Sequence, residues 1–122
     1  MHMNEEELLE KYFNNRKNFA QFISSVNQPV VLKFTAEWCG PCKQIEPLVS
    51  KYFSNLINKN YICLTIDIEE SFDVYMYLKS KKMVSAVPTI LYYSKDNTCC
   101  YAPSNSVVGA NEKNVNDFFQ SL

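Results

Sequence analysis

The sequence predicts an α/β protein: a three-layer α/β/α sandwich around a mixed sheet, parallel at its centre and finished by an antiparallel edge hairpin. Two observations carry this expectation. Segments with helical spacing of apolar residues alternate with short apolar, β-branched runs, and strand–helix–strand connections pair their strands in parallel with helices laid over both faces. The last two strand-like runs then follow one another with no helical pattern between them, which adds an antiparallel pair at one edge. With 122 residues, 47% hydrophobic and 14% aromatic, the chain has material for one compact core.

From the N-terminus, residues 4–15 fit either a short acidic helix or a first edge strand around Lys11, Tyr12 and Phe13, and periodicity does not choose between them. Phe19, Phe22, Ile23 and Val26 fall at i, i+3, i+4 and i+7, so 17–27 reads as an amphipathic helix stopped by Asn27, Gln28 and Pro29. Residues 30–36 are mostly apolar and read as a central strand. After Gly40 and Pro41, the positions Ile45, Leu48, Val49, Tyr52, Phe53 and Leu56 predict a long helix over about 40–58, with Pro47 inside it and expected to kink it. Residues 61–67 are β-branched and apolar, a second buried strand. Glu69, Glu70 and Ser71 then place acids in the first turn of a helix running to about residue 82. Residues 89–93 and a stretch ending near Val108 form the closing strand pair, joined by the polar, irregular segment 94–106. Val115, Phe118, Phe119 and Leu122 mark a last helix capped by Asn111.

Charge and composition exclude several classes. Lys and Arg total 12 against 13 for Asp and Glu, so neither a nucleic-acid surface nor a polybasic membrane patch is indicated. No run of 18 apolar residues occurs, and residues 1–7 are acidic and polar, unlike a secretory or mitochondrial leader. A cytoplasmic location without membrane association is expected. The one histidine, His2, stands at the terminus and is given no functional role. Five cysteines leave one over from any disulfide framework, and a reducing compartment fits them better.

In that setting the close pair Cys39 and Cys42, in Trp38-Cys39-Gly40-Pro41-Cys42-Lys43, reads as redox or metal chemistry. Thiol–disulfide exchange needs a thiolate that attacks and a second thiol near enough to expel the trapped partner. Placed where a strand gives way to a helix, Cys39 meets unpaired N–H groups and the positive end of the helix dipole. Lys43 adds a cation nearby. Cys42, one turn in, is expected to be more buried and suits the resolving role, while Pro41 stiffens the start of the helix without needing an N–H partner. The competing reading is half of a zinc site. A second ligand pair at suitable spacing is missing, because Cys99 and Cys100 are adjacent and no usable His is present, so no metal is expected.

The run Phe34-Thr35-Ala36-Glu37-Trp38-Cys39-Gly40-Pro41-Cys42-Lys43, with Pro47 beyond it, resembles the active-site segment of the thioredoxin family nearly residue for residue. Ala86-Val87-Pro88-Thr89 resembles the family's cis-proline loop, and Val108-Gly109-Ala110-Asn111 its glycine turn before the last helix. The resemblance covers residues 17–122, leaving 1–16 as an N-terminal segment. It implies the thioredoxin fold and an enzyme that reduces protein disulfides through a Cys39–Cys42 cycle, with no cofactor beyond that disulfide. By the same resemblance Cys39 is the nucleophile, Cys42 the resolving thiol and Pro88 a cis proline. Trp38, Gly40, Pro41, Lys43, Lys33 and Pro88 support the pair. Trp38, Val87, Pro88, Gly109 and Ala110 form a shallow apolar surface that receives an extended substrate segment. The implied partners are disulfide-bearing proteins and an NADPH-dependent thioredoxin reductase, and a monomer is expected.

Two departures stand out. Where the family usually carries a buried Asp, six residues before the first active-site cysteine, this chain has Lys33, and Cys63 falls where the family often has the lysine that pairs with that Asp. A carboxylate there raises a neighbouring thiol's pKa and can serve as base, whereas a charged lysine does the reverse. Slower resolution and a less reducing potential are expected, unless the lysine stem carries its charge to solvent. The segments 67–88 and 94–106 are also longer than the family norm. The second holds Cys99 and Cys100, either a regulatory thiol pair or two ordinary cysteines, a disulfide between neighbours being strained. Competing functions are a thioredoxin-fold interaction module with vestigial cysteines and a disulfide oxidase or isomerase. The intact Cys-Gly-Pro-Cys argues against the first, and the absence of a His between the cysteines against the second.

Overall fold

The structure is a computed structural model, and it describes residues 3–97, 99 and 101–122. Along the chain run α1 (Glu5–Tyr12), α2 (Arg16–Ser25), β1 (Val30–Thr35), α3 (Gly40–Ile57), β2 (Ile62–Asp67), α4 (Phe72–Ser80), β3 (Thr89–Tyr93), β4 (Asn105–Val108) and α5 (Glu112–Gln120). The four strands make one sheet in the order β2-β1-β3-β4.

The N-terminal ambiguity resolves as helix. Asn4 accepts a hydrogen bond from the Glu7 N–H at 2.8 Å and donates its own N–H to the Glu7 carboxylate at 3.1 Å, a reciprocal capping box. Three glutamates in the first turn and Lys11 in the last suit the helix dipole. The helix α4 begins later than the sequence suggests. Asp67 accepts the N–H groups of Glu69 and Glu70 at 2.8 and 3.3 Å. That turn holds both glutamates outside the helix, and Asp73 is the acid of its first turn.

The sheet is mixed, and its parallel pairing is confined to β1 and β2, with Val30 opposite Ile62 and Thr35 opposite Asp67. β3 lies on the other side of β1 and runs antiparallel to it, Val30 facing Tyr93 and Phe34 facing Thr89. The expectation that each strand–helix–strand unit is parallel therefore fails for β2-α4-β3. The strands of that unit are not neighbours, so nothing requires the connection to restore the original direction. β3 and β4 form the expected antiparallel edge.

Alternation along β1 divides the core into two layers. Val30, Leu32 and Phe34 pack with Phe19, Phe22 and Ile23 of α2 and with Val74 and Leu78 of α4. Val31 faces Ile45, Val49, Phe53 and Leu56 of α3 and Val115, Phe118 and Phe119 of α5. Phe13 sits between Phe19 and Phe22, ring centroids 5.5 and 5.8 Å away, which ties the end of α1 to the first layer. Burying such a ring contributes roughly 1.5–3 kcal/mol. Leu8, Leu9 and Tyr12 of α1 pack against the same layer, with α1 running alongside β2. The N–H groups of Ile62 and Ile68 bond to Pro29 and Thr35, so the intervening Cys63 and Thr65 turn their backbone groups away from β1.

Two helices end in the same way. Tyr61 N–H bonds to Leu56 O at 3.0 Å and Met83 N–H to Leu78 O at 2.9 Å, six-residue closures that need a left-handed residue inside. Asn60 and Lys82 fill those places at φ 68° and 63°. α3 continues through Pro47 to its end at Ile57.

Candidate active site

Cys39 is the N-cap of α3, and its position follows from local chain chemistry. β1 ends at Thr35, and the Cys39 N–H turns back to Ala36 O at 3.1 Å. Pro41, in the first turn, needs no partner for its nitrogen. The Cys39 Sγ then accepts the Cys42 N–H at 3.1 Å, the bond that a serine or aspartate oxygen makes in an ordinary N-cap. Donor and helix dipole together favour negative charge on this sulfur. Cys39 and Cys42 form a disulfide, with Cα atoms 5.3 Å apart. Both cysteines are buried, so the expected contrast in burial between them is small in this oxidised state.

A second segment meets the disulfide from β3. The Val87 carbonyl oxygen lies 3.7 Å from Cys39 Sγ, the Val87–Pro88 bond is cis, and Pro88 itself is buried. Gly109, at φ 92°, donates its N–H to Pro88 O at 2.8 Å, which holds the turn after β4 against this loop. Thus Val87 meets Cys39 and Gly109 is tied to it through Pro88, while Ala110, next in the chain, packs against the layer formed by α3 and α5. An added Cβ at Gly109 would touch nothing within 4 Å. The glycine is needed for its backbone angle and not for space.

Trp38 is 68% exposed, and its indole N–H donates to a Glu69 carboxylate oxygen at 3.1 Å. The sequence reading did not place Glu69 near the site. Its signal was Asp67-x-Glu69 at a strand end, a turn-forming aspartate that fixes where the following acids point. Gly40 and Lys43 are exposed beside the disulfide, and nothing lies within 4 Å of a Cβ built on Gly40.

Lys33 is 3% exposed, between Thr65 and Ile90 on neighbouring strands. Burial pushes its pKa below the usual lysine value, and the charge of Glu46 on α3 acts in the opposite direction. Among the described residues no ion pair engages it and no buried side-chain nitrogen lacks a partner, so the ammonium keeps contact with water at the end of a buried stem. Cys63 stands opposite Val31 and not Lys33. Burial, with the Glu5 charge added, pushes its thiol up to about 12. Cys99 is exposed, and the N–H groups of Tyr101 and Ala102 hold its thiol below the ordinary value. Cys100, its expected companion, lies outside the described residues, as does His2. Among the described residues no three acids, cysteines or histidines gather as a metal site.

A disulfide of Cys-x-x-Cys spacing at the start of a helix, beside a cis-proline loop, defines the class: a thiol–disulfide oxidoreductase. The thioredoxin family model matches residues 10–121, and the chain belongs to the thioredoxin family. It is 35% identical to Thioredoxin-1 of Saccharomyces cerevisiae over 78% of this chain and 84% of that protein. It is 33% identical to Thioredoxin 3 of Plasmodium falciparum over 81% of this chain but 51% of that longer relative. Among solved structures, oxidized mitochondrial thioredoxin 3 from Saccharomyces cerevisiae superposes with TM-score 0.66 at 27% identity, covering 89% of this chain and 92% of that one. The chemistry of the class runs through the protein's own disulfide and needs no cofactor.

Proposed function

We propose that this chain reduces disulfides in other proteins, Cys39 attacking and Cys42 resolving. The observation that carries the reading is the Cys42 N–H directed at Cys39 Sγ at the helix start, a donor already in place for the attacking thiolate. In the dithiol form, Cys39 thiolate attacks one sulfur of the substrate disulfide; that bond breaks and the other substrate sulfur leaves as a thiolate that takes a proton from water. Cys42 then loses its proton and attacks Cys39 Sγ, which expels the second substrate thiolate. Two electrons have passed from the dithiol to the substrate, and the Cys39–Cys42 disulfide remains.

Trp38, Val87, Pro88, Gly109 and Ala110 receive the substrate. The Val87 carbonyl beside Cys39 Sγ and the exposed Trp38 ring support that assignment. Gly40, Pro41 and Lys43 support the pair from the first turn of α3. Lys33 supplies no carboxylate base, so the Cys42 proton goes to water, which slows resolution. An NADPH-dependent thioredoxin reductase returns the protein to its dithiol form, and the protein works as a monomer in electron transport and redox homeostasis. A reducing cytoplasm is the proposed setting, supported by the free thiols of Cys63 and Cys99.

The deciding experiment is dithiothreitol-driven reduction of insulin disulfides, with Cys39→Ser beside the native protein. Activity that depends on Cys39 is expected. Turnover that survives Cys39→Ser unchanged would remove the assignment.

A further inference from the structure

Away from the disulfide, α1, α2, the end of α3 and the start of β2 border a cavity of about 500 Å³, a size within the range of roughly 300–1,000 Å³ common to small-molecule sites. Cys39 caps the first turn of α3, while Ile57, which lines the cavity, is the last residue of that 18-residue helix. A helix of that length spans about 27 Å, so the cavity is remote from disulfide exchange. Its wall is mostly apolar. Leu8 and Tyr12 come from α1, Phe22 and Val26 from α2, and Ile62 and Leu64 from β2. Ile57 is 54% exposed beside them, and no residue of α1 is buried. Folding thus leaves apolar side chains around a concave, open space, which is the shape a small ligand needs.

The polar part of the lining selects the ligand. Among the described residues it holds one charged group, Glu5, and no lysine, arginine or histidine. Lys11, the one cation of α1, lies over the Tyr12 ring at 5.2 Å and is not part of the wall. Glu5 enters neither ion pair among the described residues. Its charge is felt by Cys63 on the same wall, whose thiol it helps to push up. Glu5 stands in the first turn of α1, where the helix dipole favours a negative charge. Burial nevertheless pushes its carboxyl above the usual range, a cost that a cation beside it would offset.

Hydrogen-bond donors on the rim are spent within the protein. Gln28 gives its amide nitrogen to the carbonyl and the side-chain oxygen of Asn60, both at 3.0 Å. Ser25 gives its hydroxyl proton to Gln21 O at 2.6 Å. Both side chains are then left with acceptor capacity alone, as the Glu5 carboxylate is. An ammonium group is the complement, having three donors, a positive charge and no acceptor.

We propose that this cavity binds a small apolar amine, with its ammonium beside Glu5 and its hydrocarbon or aromatic body against Ile57, Tyr12 and Phe22. The site is separate from the disulfide and from the reading given above for it.

The test follows the methyl resonances of Leu8, Val26 and Ile57 in the native protein as tryptamine is added, with tryptophol as the neutral counterpart and indoleacetate as the anionic one. Tryptamine is expected to shift these methyls saturably and to bind about tenfold more tightly than tryptophol, the margin of a charge-assisted hydrogen bond. Indoleacetate leaves them where they are. Glu5→Gln removes the preference for tryptamine over tryptophol. Ile57→Lys, which sets a cation on the rim at an exposed position, abolishes tryptamine binding. Circular dichroism and insulin reduction should be unchanged in both variants, which shows that the fold and the distant disulfide are intact. Shifts that do not saturate, equal affinity for tryptamine and tryptophol, or tryptamine binding that survives either substitution unchanged overturns the inference.

Discussion

Tyr77 of α4 and Tyr101 of the β3–β4 connection meet edge to face, ring centroids 6.4 Å apart at 87°. The Lys81 ammonium lies over both rings, 5.9 and 5.1 Å from their centres. The connections 67–88 and 94–106 thus pack against each other, and Tyr93 fastens the second by donating its hydroxyl to Tyr101 O at 2.9 Å. A double-mutant cycle of Tyr77→Leu and Tyr101→Leu is expected to give a coupling of about 0.5–1.5 kcal/mol in urea denaturation. Additive losses would show that the segments are independent.

Backbone angle predicts opposite effects at two positions. Lys82 holds a left-handed conformation at φ 63°, which costs a side-chain-bearing residue roughly 1–2 kcal/mol. Lys82→Gly removes that cost and is expected to stabilise the protein by up to about 1 kcal/mol after the extra entropy of glycine in the unfolded chain. Gly109→Ala, with open space around it but φ 92°, loses about 1–2 kcal/mol. Thermal melting of the two variants reads both signs.

The free thiols differ in reactivity. With its thiol pushed up to about 12 and its side chain buried, Cys63 holds only about one part in ten thousand of thiolate at pH 8. Cys99 is exposed and lowered. Iodoacetamide applied to the oxidised native protein should modify Cys99, with Cys63 labelled only after unfolding, as peptide mass spectrometry will show. Rapid native labelling of Cys63 would mean that its strand is open to solvent.

Lys33 makes stability depend on alkaline pH. Its folded pKa is lowered by burial, while the unfolded value stays near about 10.4. Between the two the folded chain binds fewer protons, so this group contributes a gain in stability as pH rises across that window. Lys33→Met should therefore stabilise the protein at pH 7, and the advantage should shrink toward pH of about 10.4. Cys63 acts in reverse. Its raised thiol favours folding below the unfolded value of about 8.5 and loses that contribution as pH climbs toward the folded one. The disulfide potential is a separate readout: Lys33→Asp is expected to make it more reducing, and an unchanged potential would relieve Lys33 of any redox role.

Much of this was legible in the residues because local rules and tertiary packing agree. The spacing of Phe19, Phe22 and Ile23 predicted α2, and all three are buried. Asn111 caps α5 as its residue type suggests, accepting the Asn114 N–H at 3.0 Å. Cys39 at the strand-to-helix junction was readable because Gly40 and Pro41 mark the helix start. What escaped depended on longer relations. Asn4 and Glu7 carried a capping signal that periodicity alone did not weigh. The direction of β3 depends on how α4 crosses the sheet, which apolar spacing does not encode. The Trp38–Glu69 bond joins two loops 31 positions apart; the Asp67 turn marks where Glu69 points, but no local pattern names Trp38 as its partner.

The placement of α1 beside β2 bears on the open edge of the sheet. β2 ends the sheet on one side, and its outward amides at Cys63 and Thr65 are what a neighbouring molecule's strand would grip to continue the ladder. An exposed ladder of that kind invites strand-to-strand aggregation. The first helix, tied down by Phe13, runs along that flank and offers no strand amides of its own, so a segment remote from the disulfide chemistry limits how another strand can approach the edge.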